Sequence, residues 1–195
     1  MGDLSDGELS VVRIEEDSIV KYLSRKILSK AENRQQQIRC RVAGIILQQD
    51  HILLQGDRQG GYWTIPGGGI EYLESSSDAL KREMKEELGA DIYIERLLWV
   101  TEEFFMAGNK ARHQLAYYYL TTLLTATHLY ELKRIAPVVD GGVEVIFQWF
   151  NLDELTNITL YPEFLSKALK VLPQTLEHLI LIDDKTLLSF NLYGK

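Results

Sequence analysis

The chain has 195 residues, an apolar fraction of 46%, a mean hydropathy of −0.12 and a formal net charge of −7. The length fits one domain with extensions, and the composition is that of a soluble globular protein. The acidic balance argues against general nucleic-acid binding, which depends on cationic contacts to phosphates. The sequence has neither an uncharged apolar run that spans a bilayer nor a secretory signal, so we expect no membrane partner.

The single cysteine, Cys40, excludes an internal disulfide bond and fits a protein of the reducing cytosol. We therefore expect a cytoplasmic location. Cys40 stands at the start of the first core strand, where we expect a small, packed side chain.

The first 37 residues are polar and charged, and we take residues 1–37 as an extension outside the main core. Apolar residues at helical spacing predict a helix between Ile19 and Leu28. We expect the main domain over residues 38–156, and a C-terminal helix and apolar tail over residues 157–195.

Apolar runs bounded by turn residues predict the strands of this domain. They lie at Val42–Leu47, His51–Leu54, Tyr62–Ile65, Ile92–Phe105, Gln114–Leu124 and Val143–Phe150. We expect Met106–His113 to connect two of these strands and Asn151–Leu155 to form a short capped turn. A further helix is predicted at Glu163–Leu172.

The C-terminal tail contains two apolar segments, Leu179–Ile182 and Leu187–Phe190. Short runs of this kind predict either a hairpin or an apolar arm that packs on a partner subunit. Together with residues 1–37, the tail has more apolar surface than a monomer keeps exposed, so we predict a homodimer.

A helix over Ser75–Leu88 is specified at both ends. Ser75, with Asp78 three residues later, is a variant of the capping box, and Gly89 ends the helix in the left-handed conformation. An apolar stripe with a spacing of four residues must face a core, and it consists of Leu80, Met84 and Leu88.

Three glutamates gather on another side of this helix. Glu83, Glu86 and Glu87 are three and four positions apart, so we expect their carboxylates to converge on one face. Such like charges cost about 0.2–0.5 kcal/mol per pair on an isolated helix, and Arg82 is expected to hold Glu86 by a bidentate pair. A set of three carboxylates suits a hard dication such as Mg²⁺.

A glycine-rich segment precedes the helix. Gly67, Gly68 and Gly69 follow Pro66, and backbone without side chains can approach a phosphate or lend a carbonyl to a metal. An amphipathic helix with a solvated charged face would explain the glutamates alone. Their combination with the glycines at fixed spacing is more specific.

Together, these positions resemble the Nudix box, the signature of the Nudix hydrolases. That signature is Gly, five residues, Glu, seven residues, Arg-Glu, an apolar residue, any residue, Glu-Glu, any residue, Gly and an apolar residue. Its positions are filled here by Gly68, Glu74, Arg82, Glu83, Met84, Glu86, Glu87, Gly89 and Ala90. Every fixed position matches, and the small Ala90 is the one soft departure.

The resemblance covers roughly residues 38–156 and implies an α/β/α sandwich with a mixed β-sheet. It also implies hydrolysis of a phosphoanhydride bond in a nucleoside diphosphate derivative or a nucleoside triphosphate, with Mg²⁺ or Mn²⁺ as cofactor. The metal ligands that it implies are Gly68, Glu83, Glu86 and Glu87. In the same way, Arg82 would orient a glutamate, and Glu74 would support the loop or the outer metal shell.

The general base that takes the proton of the attacking water is not fixed in this family. Outside the box, our candidates are Glu102, Glu103 and Glu144, although each also fits a solvated carboxylate at a strand end. His113 opens a strand beside a loop, and a surface histidine is a simpler interpretation than a phosphate contact.

A nucleobase could stack on strand aromatics, although most of these belong to cores. The candidates are Tyr62, Trp63, Phe104, Phe105 and Tyr118. The subfamily marks of ADP-ribose and coenzyme A hydrolases match poorly, so the substrate stays open between a nucleoside triphosphate and a nucleotide sugar.

Three other functions compete with this hypothesis. An isomerase of isopentenyl diphosphate would need a catalytic cysteine in the pocket, and Cys40 precedes the substrate loops. A non-catalytic, ligand-sensing domain of the same fold usually loses box glutamates, which are all present here. An RNA-decapping enzyme is disfavoured by the acidic charge.

Overall fold

The computed structural model describes residues 38–57, 61–107, 110–131, 134–140 and 143–183. The helix predicted between residues 19 and 28 and the apolar segment at 187–190 lie outside the described residues. No helix in these ranges is long and apolar enough to cross a membrane.

Eight strands form one mixed sheet in the described part of the chain. They are β1 (Ile38–Gln48), β2 (His51–Asp57), β3 (Trp63–Thr64), β4 (Ile92–Ala107), β5 (Lys110–Leu123), β6 (Arg134–Asp140), β7 (Val143–Asn151) and β8 (Glu177–Ile182). Their order is β6–β7–β2–β1–β5–β4–β8, with β3 beside β2. The pairs β1/β5 and β4/β8 are parallel, and the other paired neighbours are antiparallel.

Helices cover both faces of the sheet. The α-helices are α1 (Ser76–Leu88) and α2 (Leu165–Ala168), and 3₁₀ helices lie at Thr127–Glu131 and Leu152–Asn157. Along β1, Val42 and Ile46 face α1, whereas Ala43 and Ile45 face the opposite layer. The strand is therefore apolar on both sides, as expected of a strand between two helical layers.

On one face, α1 packs through the predicted apolar stripe. Leu80 and Met84 are fully buried, and they pack in one cluster with Val42 and Phe147. A Cβ on Gly44 would lie only 3.2 Å from the Leu80 side chain, so this glycine lets the helix approach the strand closely.

On the other face, the chain after β7 forms the second layer. Leu155, Leu160, Leu165 and Leu169 are buried there against the sheet residues of the cluster that contains Trp99. The predicted α/β/α sandwich with a mixed sheet is confirmed. Residues beyond 156 add core side chains and β8 to it, and the domain boundary at 156 stays a prediction.

The pairing of β1 with β2 is confined to the turn between them, at Leu47–Ile52 and Gln48–His51. Beyond this point the edge of β1 pairs with the glycine loop, which we define as Pro66–Ile70. Its backbone bonds to β1 are Gly44 N to Pro66 O at 2.9 Å, Val42 N to Gly68 O at 3.0 Å and Ile70 N to Cys40 O at 3.0 Å. The loop therefore fills the gap that opens between β1 and β2.

Several predicted boundaries are wrong. The expected connection Met106–His113 is mostly strand, because β4 and β5 pair as far as Ala107 and Lys110. The backbone hydrogen bonds between β4 and β5 do not depend on the side chains, so polar residues that suggested a loop continue the strands. The predicted helix Glu163–Leu172 is shorter, since Phe164 provides no side-chain cap and the Ser166 hydroxyl donates to a backbone carbonyl.

Two strands were not expected in their observed form. The sequence of β6 contains Pro137, and the β6/β7 register shifts between Ile135 and Val138 around it. The apolar segment Leu179–Ile182 lies in β8, parallel to β4 of the same chain, and not in an arm that reaches another subunit.

We expect Leu80→Ala to lower the free energy of unfolding by about 2–5 kcal/mol, because the side chain is fully buried between α1 and β1. Urea denaturation monitored by circular dichroism measures the change. The matched control is Leu73→Ala, which removes the same atoms from a side chain that is 89% exposed. Its effect should stay within about 0.5 kcal/mol. Equal losses in the two variants would contradict this packing.

Candidate functional site

Both ends of α1 are capped, by the Ser75 side chain at the start and by a left-handed glycine at the end. Ser75 precedes the helix in extended conformation, and its hydroxyl accepts the N–H of Asp78 at 3.1 Å. At the other end, Gly89 has a φ of 64°, and it accepts the left-handed geometry without a Cβ clash. The helix is therefore specified at both ends, as predicted.

Arg82 is the centre of the acidic site. Its Nε and Nη2 donate to the two carboxylate oxygens of Glu74, both at 2.9 Å. Nη1 donates to Glu83 at 2.8 Å and to Glu86 at 3.3 Å, and Nη2 also reaches the Gly69 carbonyl at 2.9 Å. One guanidinium thus joins the helix to the preceding loop.

The bidentate partner of Arg82 is Glu74 and not Glu86, which corrects the prediction. The turn Glu71–Glu74 brings this carboxylate into the plane of the guanidinium, and the Glu71 N–H also donates to it at 3.0 Å. The hydrogen bonds of Arg82 lower the pKa of Glu74, and in return Glu74 raises the pKa of Arg82. Both groups are therefore ionised at neutral pH.

The three box glutamates occupy two environments. Glu83 and Glu87 are 9% and 5% exposed, whereas the Glu86 side chain is 61% exposed. Successive helix residues are about 100° apart, so Glu86 lies at the exposed rim of the face on which Glu83 and Glu87 are buried. Within the described ranges, no three acidic, histidine or cysteine side chains come together closely enough to hold a metal.

Gly68 gives the buried carboxylates a bare backbone neighbour. A Cβ at this position would lie 2.2 Å from the Glu83 carboxyl carbon, so no other residue fits without moving Glu83. Gly67 has a φ of 140°, and a Cβ there would lie 2.2 Å from the Val42 carbonyl oxygen. Gly69 has open space at its Cβ.

Two further side chains hold the glycine loop, and sequence reasoning missed both. Arg41 of β1 donates through Nη2 to the Gly67 carbonyl at 2.7 Å. Gln55 of β2 accepts the Gly67 N–H at 3.3 Å and donates to Glu87 at 3.4 Å. The sequence does contain a sign of their role. Each is a polar residue directly beside an apolar run that predicts a strand.

The general-base candidates lie in different surroundings. Glu103 is 6% exposed and accepts hydrogen bonds from Thr101 at 2.6 Å, Gln114 at 2.8 Å and Tyr118 at 2.9 Å. Burial raises its pKa, and these donors oppose that shift.

The other two candidates are less buried than Glu103. Glu102 contacts His178 of the neighbouring strand β8 at 3.0 Å, so its carboxylate has a partner away from the glycine loop. Glu144 is half-buried on β7, opposite Val139 of β6.

Most of the predicted base-stacking aromatics are core residues. Trp63 packs on Phe150, and Phe104 stacks on His113 with ring centroids 4.3 Å apart. Tyr118 is buried as well, whereas Tyr62 is 46% exposed and meets Tyr161 edge to face at 6.1 Å.

The expectation that Cys40 is packed is wrong. Its side chain is exposed because β1 begins four residues before the predicted strand, outside the cover of α1. At the site, the loop tip also exposes two large side chains, Tyr72 and Leu73, and Leu73 has a φ of 63°.

The donor atoms fit a hard divalent cation. Two carboxylates are buried one helical turn apart, and Gly68 lies so near one of them that a Cβ there would clash with it. Burial of two such charges is unfavourable without positive charge nearby, and Arg82 reaches Glu83 of this pair. Carboxylate and carbonyl oxygens are the ligands that Mg²⁺ and Mn²⁺ prefer.

Two proteins of known sequence are similar to parts of this chain. The chain is 33% identical over 87 residues to the low-salt glycan biosynthesis protein Agl8 of Haloferax volcanii, which covers 40% of this chain and 56% of that protein. The chain thus spans about half the length of that relative. It is 28% identical over 124 residues to the Nudix hydrolase YvcI of Bacillus subtilis, covering 63% of this chain and 72% of that one.

Among solved structures, the MutT mutator protein of Bacillus halodurans has a similar fold. The TM-score is 0.54 at 18% identity, and the match covers 76% of this chain and 93% of that one. The NUDIX domain family matches residues 38–173, which is most of the chain and extends past the predicted end at 156. These residues are a NUDIX domain, and the chain belongs to the NUDIX family.

Proposed function

We propose that this protein hydrolyses a phosphoanhydride bond in a nucleoside diphosphate derivative or a nucleoside triphosphate, with Mg²⁺ or Mn²⁺ as cofactor. The observation that carries the proposal is the buried Glu83 carboxylate, which Arg82 holds against the bare backbone of Gly68. A buried carboxylate beside a glycine loop suits a cation that binds phosphates.

Glu83 and Glu87 are the proposed inner metal ligands, with Glu86 reaching the same cation from the rim and the Gly68 carbonyl assisting. The Gly68 oxygen already accepts the Val42 N–H at 3.0 Å, and a carbonyl keeps a second lone pair for a metal. The bound cation would neutralise the diphosphate and lower the pKa of an attacking water.

The other residues position these groups. Arg82 orients Glu83. Its bidentate hydrogen bonds to Glu74 fix the turn between the glycine loop and α1. Gly67, Gly68 and Gly69 present backbone to the phosphates without side chains in the way.

The proton of the attacking water goes to a carboxylate. Glu103 already accepts three hydrogen bonds from Thr101, Gln114 and Tyr118, so its lone pairs are mostly committed. A box glutamate or Glu144 is therefore the better candidate for this role.

The substrate class follows from charge and aromatic exposure. A dication changes the sign of the local field in this acidic chain, which suits a polyphosphate. Tyr62 and Tyr161 form an exposed aromatic pair beside β3, the strand that leads into the glycine loop, and such a pair can stack on a nucleobase.

The alternative is a non-catalytic domain that senses a nucleotide. A sensor needs ligand contacts but no catalytic metal, and it has no use for a buried pair of carboxylates. The contacts of Arg82 with Glu74 and Glu83 therefore favour hydrolysis.

We also propose a cytoplasmic location, which the single exposed cysteine supports because a reducing compartment keeps it free. The proposed homodimer rests on the apolar termini, most of which lie outside the described residues.

The first test measures phosphate release from nucleoside triphosphates, nucleotide sugars, ADP-ribose and dinucleoside polyphosphates with Mg²⁺ or Mn²⁺. We expect metal-dependent turnover of at least one compound, and a loss of about 100-fold or more in Glu87→Gln, because a ligand charge is removed. The matched control is Glu95→Gln, an exposed glutamate of β4 bonded to Thr122, which should keep full activity. Nucleotide binding without turnover would favour the sensor.

The second test compares two adjacent glycines. Gly68→Ala should weaken Mn²⁺ binding and activity by about 10–100-fold, because its Cβ displaces the Glu83 carboxylate. Gly69→Ala adds the same methyl group in open space and should change Mn²⁺ affinity much less. Isothermal calorimetry on both variants measures the affinity. Equal effects would show that Glu83 does not need its close contact with Gly68.

The third test is light scattering of the full chain at micromolar concentration. A homodimer has twice the monomer mass of 22.4 kDa. A mass equal to the monomer at this concentration would rule the proposed assembly out.

A further inference from the structure

A buried acidic group lies on the face of the sheet away from α1. Glu103 of β4 is surrounded by Thr101, Gln114 and Tyr118, and Tyr118 belongs to the core cluster that faces the second helical layer. This carboxylate is too deeply buried to be an ordinary surface group. Its three hydrogen-bond donors satisfy it in part, and a nearby positive charge stabilises the ionised form further.

Arg41 is a positive charge on the same side of the sheet. The register places Arg41 of β1 beside Ala116 of β5, and Ala116 beside Thr101 of β4, so the two charged residues lie two strands apart on the same side. The charge of Arg41 acts to lower the pKa of Glu103, against the effect of burial.

The head group of Arg41 is bound to the glycine loop. Its Nη2 donates to the Gly67 carbonyl at 2.7 Å and lies 3.5 Å from the Ile65 carbonyl. Gly67 lies close to the Val42 carbonyl at a φ of 140°, where a Cβ would clash, and its carbonyl and N–H are both hydrogen-bonded to side chains. The orientation of this peptide thus depends on where Arg41 is held.

From Gly67 the contacts continue to α1. The Gly67 N–H donates to Gln55 at 3.3 Å, and the other end of the Gln55 amide donates to Glu87 at 3.4 Å. Arg41 acts on Glu103 by its charge from two strands away, and a path of hydrogen bonds joins Arg41 to a box glutamate through Gly67 and Gln55. This path crosses from one face of the sheet to the other at the gap between β1 and β2.

We propose that Arg41 is a positioning residue that fixes the Gly67 peptide, and that Glu103 acts only through Arg41 by holding its charge in place. The pair sets the geometry of the metal-binding face without touching the substrate. The effect on catalysis rests on the proposed hydrolase function, whereas the effect on the loop does not.

The competing role for Glu103 is that of general base. A base acts on the attacking water, so its removal changes the rate whether or not Arg41 is present. A group that acts through Arg41 has no further effect once Arg41 is gone. A double-mutant cycle separates the two roles.

The experiment uses full-length Arg41→Met, Glu103→Gln and the double variant, with Arg96→Met as a control that removes the same charge from β4. Three quantities are measured: kcat/KM on the best compound of the substrate panel, the Mn²⁺ dissociation constant by calorimetry, and amide hydrogen exchange at Val42 and Gly44. Both amides bond to the glycine loop, so their exchange reports its docking without any metal.

We expect Arg41→Met to reduce kcat/KM and Mn²⁺ affinity by about 10–100-fold and to speed exchange at both amides. Glu103→Gln should act in the same direction, keep the acid limb of the pH–rate profile, and add less than about two-fold in the Arg41→Met background. Arg41→Lys should recover part of the loss, since it restores the charge beside Glu103 without the planar fork.

Independent, multiplying losses in the two single variants would overturn the proposal and favour Glu103 as the base, as would loss of the acid limb. Exchange and Mn²⁺ affinity in Arg41→Met equal to those of the Arg96→Met control would overturn it too. A wild type without turnover would sink the hydrolase proposal alone, because the exchange measurement still decides the role of Arg41.

Discussion

The separation of β1 from β2 just beyond their turn is the constraint on which the site depends. Strand edges need hydrogen-bond partners, and the free edge of β1 finds them in the glycine loop. The loop is thereby hydrogen-bonded to β1 as a strand would be, while Gly67, Gly68 and Gly69 leave its middle free of side chains. Regular pairing of β1 with β2 would remove the space in which Gly68 meets Glu83.

Two arginines on opposite sides of the glycine loop balance the acidic charge of the site. Acidic side chains from α1 and from the turn before it are drawn to one guanidinium, that of Arg82, and a second arginine lies on the other side of the loop. In an acidic protein, both cations are placed where carboxylates are partly or fully buried. Each arginine also binds a loop carbonyl, so charge compensation and backbone positioning use the same groups.

Sequence reasoning identified α1 and its caps because each signal there is local. Ser75 and Gly89 act within a few residues, and the stripe through Leu80 and Met84 needs only helical periodicity. The pairing of Arg82 with Glu74 was not foreseen, since it depends on how the turn at residues 71–74 folds back. A spacing rule for helices cannot describe a residue that precedes the helix.

The same limit explains the missed strands and positioning residues. β8 joins β4 across a long stretch of sequence, and Arg41 meets Gly67 only because β1 lies beside the loop. Polar residues in strands suggest an end to the strand when the sequence is read alone. In the structure, Arg41 and Gln55 hydrogen-bond to Gly67, which is distant from both in the sequence. A local sequence pattern does not contain such contacts.

The position of β8 gives the C-terminal segment a role in completing the hydrogen bonds of β4. β4 is 16 residues long, and β8 occupies the outer side of its second half, from Trp99 to Phe104. A chain cut before Glu177 would expose unpaired N–H and C=O groups along that half. Such an open edge, next to Phe104 and Phe105, is a template for pairing with another chain, and β8 fills it with a strand of the same chain.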